Sequence, residues 1–579
     1  MSDQTSTSEV DRNSEIADLP LDFHFIEQAE YIPESIFLAL DTVHPEEESI
    51  VRRLAAGGAK LLVGPRGCGK TTLMLKAYYQ LLHAEDTTTL PVYVNFKLSL
   101  KLEPLYQNTA NAAYWFRLWL LLKIFDGIHS AIELSNRYLP TPNLPSRKEI
   151  SSAVTSIESG RLETVKNIER FSLEQFAAAI SNILEENDLA RCVLLLDDAA
   201  HAFSPRQQED FFEFFRQVKS REISPKAAIY PGITTHSPTF HVGHDAEQID
   251  VWIKPGRGVY VEFMRSLALK RFGGTLPRTL STTPDALEFL AFASFGVPRS
   301  FLNMLRTIYH EEAKLSNRST LDRRRLIEIS KQSREAAHNV YDSLSFKLPA
   351  YKEYVAAGRL LYQSLLAGLK DFNQARGEDN QALEVGLKRP ISTDIEKVIG
   401  FFQYAGLLMP AGENSRGVKG SFEIYLVHFG DLINDNVVVG RRTKSISLFV
   451  KAFTSQTHQV WPRMSSDGLI PSNQRSDAFR LSLPHCQNCG AERVSENAKF
   501  CHSCGSQLKT ASLYDELTRQ DIAILPLSKT MLSRIKTHSK LRTVKDILMD
   551  SDRVKLRSIP FIGPVRATRI AMYAEEHVA

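Results

Sequence analysis

The hydrophobic positions of this chain fall into short apolar runs separated by turn-forming and charged residues. Lys60-Leu61-Leu62-Val63 reads as a short buried strand, and Thr72-Leu73-Met74-Leu75-Lys76-Ala77 reads as the helix after it. Tyr114 to Lys123 is strongly apolar but is interrupted by Arg117 and Lys123, so it predicts a buried helix and not a membrane span. Arg191-Cys192-Val193-Leu194-Leu195-Leu196-Asp197-Asp198 predicts a strand that ends in two acids. Lys226 to Thr235 predicts another buried strand, ending in small polar residues. Further on, Tyr351 to Phe372 has helical apolar spacing. Thr393 to Leu408 predicts a second helix with Gly406 near its C-cap. Leu407-Leu408-Met409 and Phe422 to Val427, on either side of a polar turn over Gly412 to Gly420, predict a β-hairpin. Gln456 to Pro484 is polar, with Pro and Gly punctuation, and reads as a linker.

The turn between the first strand and its helix carries the most specific chemistry. Gly64-Pro65-Arg66-Gly67-Cys68-Gly69-Lys70-Thr71 matches the phosphate-binding pattern G-x-x-x-x-G-K-[ST] in full. Glycines let backbone N–H groups turn inward around a phosphate, and the helix N-terminus adds a positive dipole end. Gly64, Pro65, Arg66, Gly67, Cys68, Gly69, Lys70, Thr71 and Thr72 are therefore the expected ATP-binding residues. Lys70 is expected to reach the outer phosphates, and Thr71 to place its hydroxyl on Mg²⁺. Asp197, at the end of the apolar strand, is the expected second Mg²⁺ ligand.

Taken in order, GPRGCGKTT, LLLDDAA, the Ile233–Thr235 strand end and Gly296-Val297-Pro298-Arg299-Ser300 resemble the AAA+ and STAND class of P-loop ATPases. Within that class they resemble the origin-recognition-complex-like branch, over about residues 23 to 310. The resemblance implies that Asp198 orients the attacking water, although that class usually carries glutamate there. A side chain one methylene shorter implies slow hydrolysis. It further implies a hydroxyl, Thr234 or Thr235, near the γ-phosphate, and Arg299 as a lid arginine on the same group. Arg206, Arg216 and Arg257 are arginine-finger candidates by position only, so a nucleotide-dependent homo-oligomer stays open.

At 579 residues the chain is long enough for about four domains. A net charge of +3 is too small to argue for nucleic acid by itself. The first residues are polar, with no basic region followed by an apolar core, so they predict a leader and not a secretory signal. A cytoplasmic protein is expected. Of six cysteines, Cys68 and Cys192 stand alone. Cys486, Cys489, Cys501 and Cys504 form two C-x-x-C pairs, each followed by glycine. In a chain without an export signal this spacing predicts a closed four-thiolate Zn²⁺ site of the zinc-ribbon kind, open to DNA, RNA or protein as its target.

The last segment has a third pattern. Ser558-Ile559-Pro560-Phe561-Ile562-Gly563-Pro564-Val565-Arg566-Ala567-Thr568-Arg569-Ile570 resembles a helix-hairpin-helix, with Phe561 where that motif has its first glycine. With the apolar runs Leu525 to Ile535 and Leu541 to Leu548, it resembles the C-terminal domain of the RNA polymerase alpha subunit. From Asp521 to Ala579, eleven Lys and Arg face six Asp and Glu. Gly563, Arg566 and Arg569 are the expected contacts to DNA phosphate.

The expected architecture is thus multi-domain. It comprises a disordered leader (1–22), an α/β P-loop NTPase core (23–275), a helical lid (276–345) and a winged-helix-like domain (346–455). A linker (456–485), a zinc ribbon (486–508) and a small all-α helix-hairpin-helix domain (521–579) follow. The working function is an ATP-dependent switch that engages nucleic acid. The alternatives are a nucleotide-gated adaptor that recruits protein, or a defence-signalling ATPase with little hydrolysis.

Overall fold

A computed structural model describes residues 25–578 except 27, 85–87, 110, 136–143, 167–170, 199–203, 257, 313–320, 377–379, 416, 418–419, 439–444, 455–460, 471–477, 494–497, 499 and 509–511. The expected leader and Arg257 lie outside the described residues.

Five strands form a parallel sheet: β1 (Lys60–Val63), β2 (Thr89–Asn95), β3 (Arg191–Asp197), β4 (Ile223–Ile229) and β5 (Glu247–Asp250), in the order β2-β3-β4-β1-β5. β3 explains its unbroken apolar run. Cys192, Leu194 and Leu196 enter the core on one face, and Val193 and Leu195 enter the core on the other. A strand buried on both faces has no polar side to alternate with. Helix α1 (Lys70–His83) follows β1. Helix α2 (Ala112–Leu134) is the buried helix predicted around Tyr114 to Lys123. Its Gly127 lies so close to β2 that an added Cβ would meet Val94 at 2.8 Å. Helix α3 (Pro205–Val218) buries Phe211, Phe212, Phe214 and Phe215 completely. The sheet order sets the carboxyl ends of β1, β4 and β3 side by side, where open parallel sheets bind ligands.

The second half is mostly helical. Helices α4 (Pro298–Glu312), α5 (Arg323–Lys347) and α6 (Lys352–Gln374) lead to helix α7 (Thr393–Ala405). Gly406 ends α7 with φ 80°, a left-handed cap that glycine adopts without a Cβ penalty. A second sheet, in the order β7-β8-β6-β9, comprises β6 (Glu384–Lys388), the antiparallel pair β7 (Leu408–Ser415) and β8 (Ser421–Val427), and β9 (Arg463–Ser465). β9 lies inside the stretch read as a linker, and it pairs with β6. Trp461 is the reason: its ring covers Gly386, where a Cβ would meet it at 2.2 Å, and packs on Phe422. Leu469 and Ile470 are buried in the main core as well. A few apolar anchors in a polar stretch were enough to dock it.

Helix α8 (Phe429–Asn434) ties these layers together through a buried carboxylate. Asp431 accepts from Arg334 Nε at 2.6 Å, His338 Nε2 at 2.9 Å and the Tyr362 hydroxyl at 2.8 Å. Burial alone would raise its carboxyl. The bond from His338, the charges of His428 and His338 and the Arg334 bond outweigh burial and hold it at about 2.

The C-terminal unit comprises α9 (Leu513–Arg519), α10 (Lys529–His538), α11 (Val544–Leu548) and α12 (Pro564–Val578). It packs on the rest of the chain. The Glu103 carboxylate, from the α/β half, accepts from the Ser512 hydroxyl and from the N–H groups of Leu513 and Tyr514, capping α9 from outside. Among the described residues, no helix is long and apolar enough to cross a membrane.

One contact fixes how the two halves meet. Gly232, just past β4, faces Gly400 of α7 backbone to backbone. A Cβ on Gly400 would lie 2.5 Å from Gly232 Cα, and one on Gly232 would lie 2.1 Å from the Gly400 carbonyl carbon. Gly400→Ala should therefore push α7 off the sheet edge and cost about 2 kcal/mol, as overpacking does. Urea unfolding of the two proteins checks this; an unchanged midpoint would show that the contact yields without cost.

Candidate nucleotide and metal sites

The phosphate-loop sequence sits between β1 and α1, as its pattern requires. Gly67 and Gly69 take φ 83° and 102°, which glycine tolerates and side chains resist. A Cβ on Gly67 would meet Arg299 Cβ at 2.9 Å, whereas one on Gly69 would meet nothing within 4 Å. The loop is thus pressed against the start of α4 on one side and open on the other. Lys70 is buried. Its Nζ donates to the Gly64 and Pro65 carbonyls at 2.7 and 2.9 Å and lies 3.7 Å from the Tyr230 ring centroid. It is folded back on its own loop and must turn outward to meet a phosphate.

The acids stand beside the loop. Asp197 is buried, accepts from the Tyr93 hydroxyl at 2.9 Å and is hydrogen-bonded by the Thr71 side chain. Burial first, and then the neighbouring Asp198 charge, push its carboxyl up to about 7. Two adjacent carboxylates and a hydroxyl at the foot of a phosphate loop form an oxygen donor set short of positive charge, which fits Mg²⁺. Asp198 has φ 52°, and its carboxylate accepts from the Tyr230 hydroxyl at 2.8 Å.

The strand-end hydroxyls fall elsewhere than the sequence suggested. β4 stops at Ile229, earlier than the apolar run implied, because Pro231 and Gly232 turn the chain. Thr234 Oγ1 is occupied as acceptor for the Tyr230 N–H at 3.0 Å, and the Thr235 N–H donates to Gln208. Neither residue lines the cleft; Tyr230 does. Sequence reading passed over Tyr230 because it sits among apolar strand residues. Arg299 does line the cleft, at the start of α4. Arg206 and Arg216 lie on α3 outside it, Arg216 paired with Glu213 at 2.7 Å.

Apolar side chains form part of the cleft wall, among them Phe37, Leu40, Phe263 and Leu267, with His44 beside Phe263 and with Asp41, Thr42 and Lys76 also lining it. Burial and the Lys76 charge lower His44 to about 4, so it is neutral near pH 7. This wall comes from elements remote in sequence, with no motif to announce them.

A residue from the last helix completes the cleft. Glu576 of α12 bonds to Arg299 at 2.7 Å and lies 3.4 Å from Arg66 Nη2, which also donates to its carbonyl. Beside it, Glu575 pairs with the Tyr31 hydroxyl and lies 4.0 Å from Lys97. The Arg66 N–H bonds to the Tyr404 carbonyl at the end of α7, so three parts of the chain meet at this loop.

The four cysteines converge. Their sulfurs all lie within 4.8 Å of one another, with Cys486–Cys504 at 3.6 Å and Cys489–Cys501 at 3.5 Å. Zn–S bonds of about 2.3 Å imply sulfur separations of roughly 3.8 Å in a tetrahedron, so the set fits Zn²⁺. The two pairs are built alike. The Gly490 and Gly505 N–H groups bond to the Cys486 and Cys501 carbonyls, and both glycines are left-handed, at φ 73° and 70°.

At the third pattern, Gly563 precedes α12 in an exposed turn, and its carbonyl accepts the Ala567 N–H. Arg566 is exposed and bonds to the Phe561 carbonyl; Arg569 is half-buried on the same helix. Phe561 has φ 67°, so it holds the left-handed backbone a glycine would take, and its ring is 73% exposed.

The chain is thus an α/β fold whose parallel sheet carries a complete phosphate-loop sequence and a pair of acids at its carboxyl ends. No protein-family model and no curated protein matches the chain. Among solved structures, domain III of the Thermotoga maritima replication initiation protein DnaA aligns over 52% of this chain and 97% of its own, at 12% identity and TM-score 0.28. Cdc6p from Pyrobaculum aerophilum aligns over 73% of this chain and 98% of its own, at 13% identity and TM-score 0.27.

Elemental analysis of the purified chain should find one Zn²⁺. Cys486→Ser or Cys504→Ser should lower that content, because three thiolates leave the tetrahedron open. Full zinc occupancy after all four cysteines are replaced would remove the metal from this site.

Proposed function

We propose that the chain is an ATP-binding switch of the AAA+ class, in its origin-recognition-like branch, and that it hydrolyses ATP slowly. The observation that carries this reading is the complete phosphate loop with Thr71 and Asp197 bonded beneath it. In this reading the loop backbone and Lys70 hold the phosphates, and Thr71 and Asp197 hold Mg²⁺. The bound ion would neutralise phosphate charge and orient the outer phosphates. Asp198, steadied by Tyr230, orients the water; Tyr230 takes the position expected of Thr234 or Thr235. Arg66 and Arg299 are the guanidiniums at the γ-phosphate end. The apolar wall around Phe37 and Phe263 takes the base, where a neutral His44 suits an uncharged ring.

The target of the switch is proposed as DNA, through the Gly563 turn and the basic excess around it. The exposure of that turn supports this reading, and so does the left-handed Phe561, which keeps the turn in shape despite the missing glycine. The four-cysteine unit is proposed as a zinc ribbon. The adaptor reading draws support from one observation, the aspartate at 198 with its carboxylate already engaged by Tyr230.

Measuring ATP binding and turnover with and without DNA tests both readings. Lys70→Ala should abolish tight ATP binding, and Asp198→Asn should retain binding while suppressing turnover. Wild-type affinity in Lys70→Ala would refute the site. A wild type that binds ATP without turnover would select the adaptor.

DNA affinity should fall steeply with salt. Arg566→Ala with Arg569→Ala should flatten that slope by about two units on unrelated sequences. Normal binding by the double variant would reassign the unit to protein contact.

A further inference from the structure

Helix α12 reaches the cleft with its last turn, and its contacts there are electrostatic. Glu576 bonds to Arg299 and faces Arg66, and it lines the same cleft as Gly67, Lys70 and Thr71. Its carboxyl records how cationic that spot is. Burial alone would raise it, but Arg299, then Arg66, Lys97 and Lys347, hold it down at about 2. Glu575 adds its contacts to Tyr31 and Lys97 one residue away. A carboxylate from the far end of the chain thus sits among the cationic side chains that line the phosphate-loop cleft.

A terminal phosphate group is the other anion that fits two guanidiniums at the end of a phosphate loop. Resting on the ATP-site reading above, we propose that Glu576 stands in for the γ-phosphate, making α12 a latch that ATP opens and ADP leaves shut. The two anions repel at this range and compete for the same donors, so each excludes the other. ADP ends at the β-phosphate and leaves Arg66 and Arg299 to Glu576. Linkage makes the effect reciprocal: docked α12 weakens ATP binding by the factor by which ATP weakens docking. The Glu103 cap holds the N-terminus of α9 and involves no cleft residue, whereas Gln520 just past α9 bonds to His577 of α12. The cap keeps the unit tethered while α12 withdraws. The Gly563 turn is exposed with the latch shut, so the latch governs where that turn sits and not whether it is accessible.

The test uses the full chain. Hydrogen–deuterium exchange of the 564–578 amides is measured without nucleotide, with Mg·ADP and with a non-hydrolysable Mg·ATP analogue; affinities for both nucleotides are measured in parallel. In wild type, the ATP analogue should raise exchange in α12 and ADP should not. Glu576→Gln should raise α12 exchange without nucleotide. It should also tighten the ATP analogue roughly tenfold, the worth of one charged hydrogen bond, and leave ADP within about twofold. Binding of the analogue to wild type with unchanged α12 exchange would overturn the latch and leave the ATP site standing. A Glu576→Gln variant that binds the analogue more weakly would also overturn it, because Glu576 would then belong to the ATP complex. Failure of wild type to bind either nucleotide would overturn the site reading, and the gating with it.

Discussion

The arrangement depends on two backbones being allowed to touch. Gly232 and Gly400 meet with no side chain between them, and that contact brings α7 against the carboxyl end of β4. Tyr404 can then pack on Tyr230, at 5.6 Å between ring centroids, and its carbonyl can accept from the Arg66 N–H. The phosphate loop is thereby held by a helix of the second half as well as by its own sheet. The proposed nucleotide site therefore lies at a junction and not inside one domain. Any motion of α7 must be felt at Tyr230 and Arg66.

The chain holds buried carboxylates of two electrostatic kinds. Asp431 and Glu576 are each surrounded by cationic partners and are held near 2. Asp197 has burial and Asp198 acting against its charge, and it is raised to about 7. The first kind is already satisfied by the protein. The second is short of a cation, in keeping with the proposed Mg²⁺ site.

The core of this picture was legible from sequence, because its signals are local. The phosphate loop, the acid-ended β3, the α7 helix with its Gly406 cap and the paired cysteines each announce themselves within about twenty residues. What stayed hidden depends on partners distant along the chain. Glu576 acquires meaning only beside Arg299 and Arg66, hundreds of positions away. Tyr230 looked like strand interior, and the true strand end was set by Pro231 and Gly232. β9 was lost in a polar stretch because an edge strand of three residues anchored by Trp461 makes no periodic pattern.

Phe561 has a consequence of another kind. A side chain with φ near 67° costs about 1 kcal/mol that glycine would not incur, and an exposed ring recovers little of it by burial. The Arg534 guanidinium lies 4.8 Å from that ring, a contact that offsets part of the strain, about 0.5 kcal/mol or more. The chain forgoes stability that one substitution could restore. The turn thus presents an aromatic ring to solvent at a backbone cost that glycine would not carry.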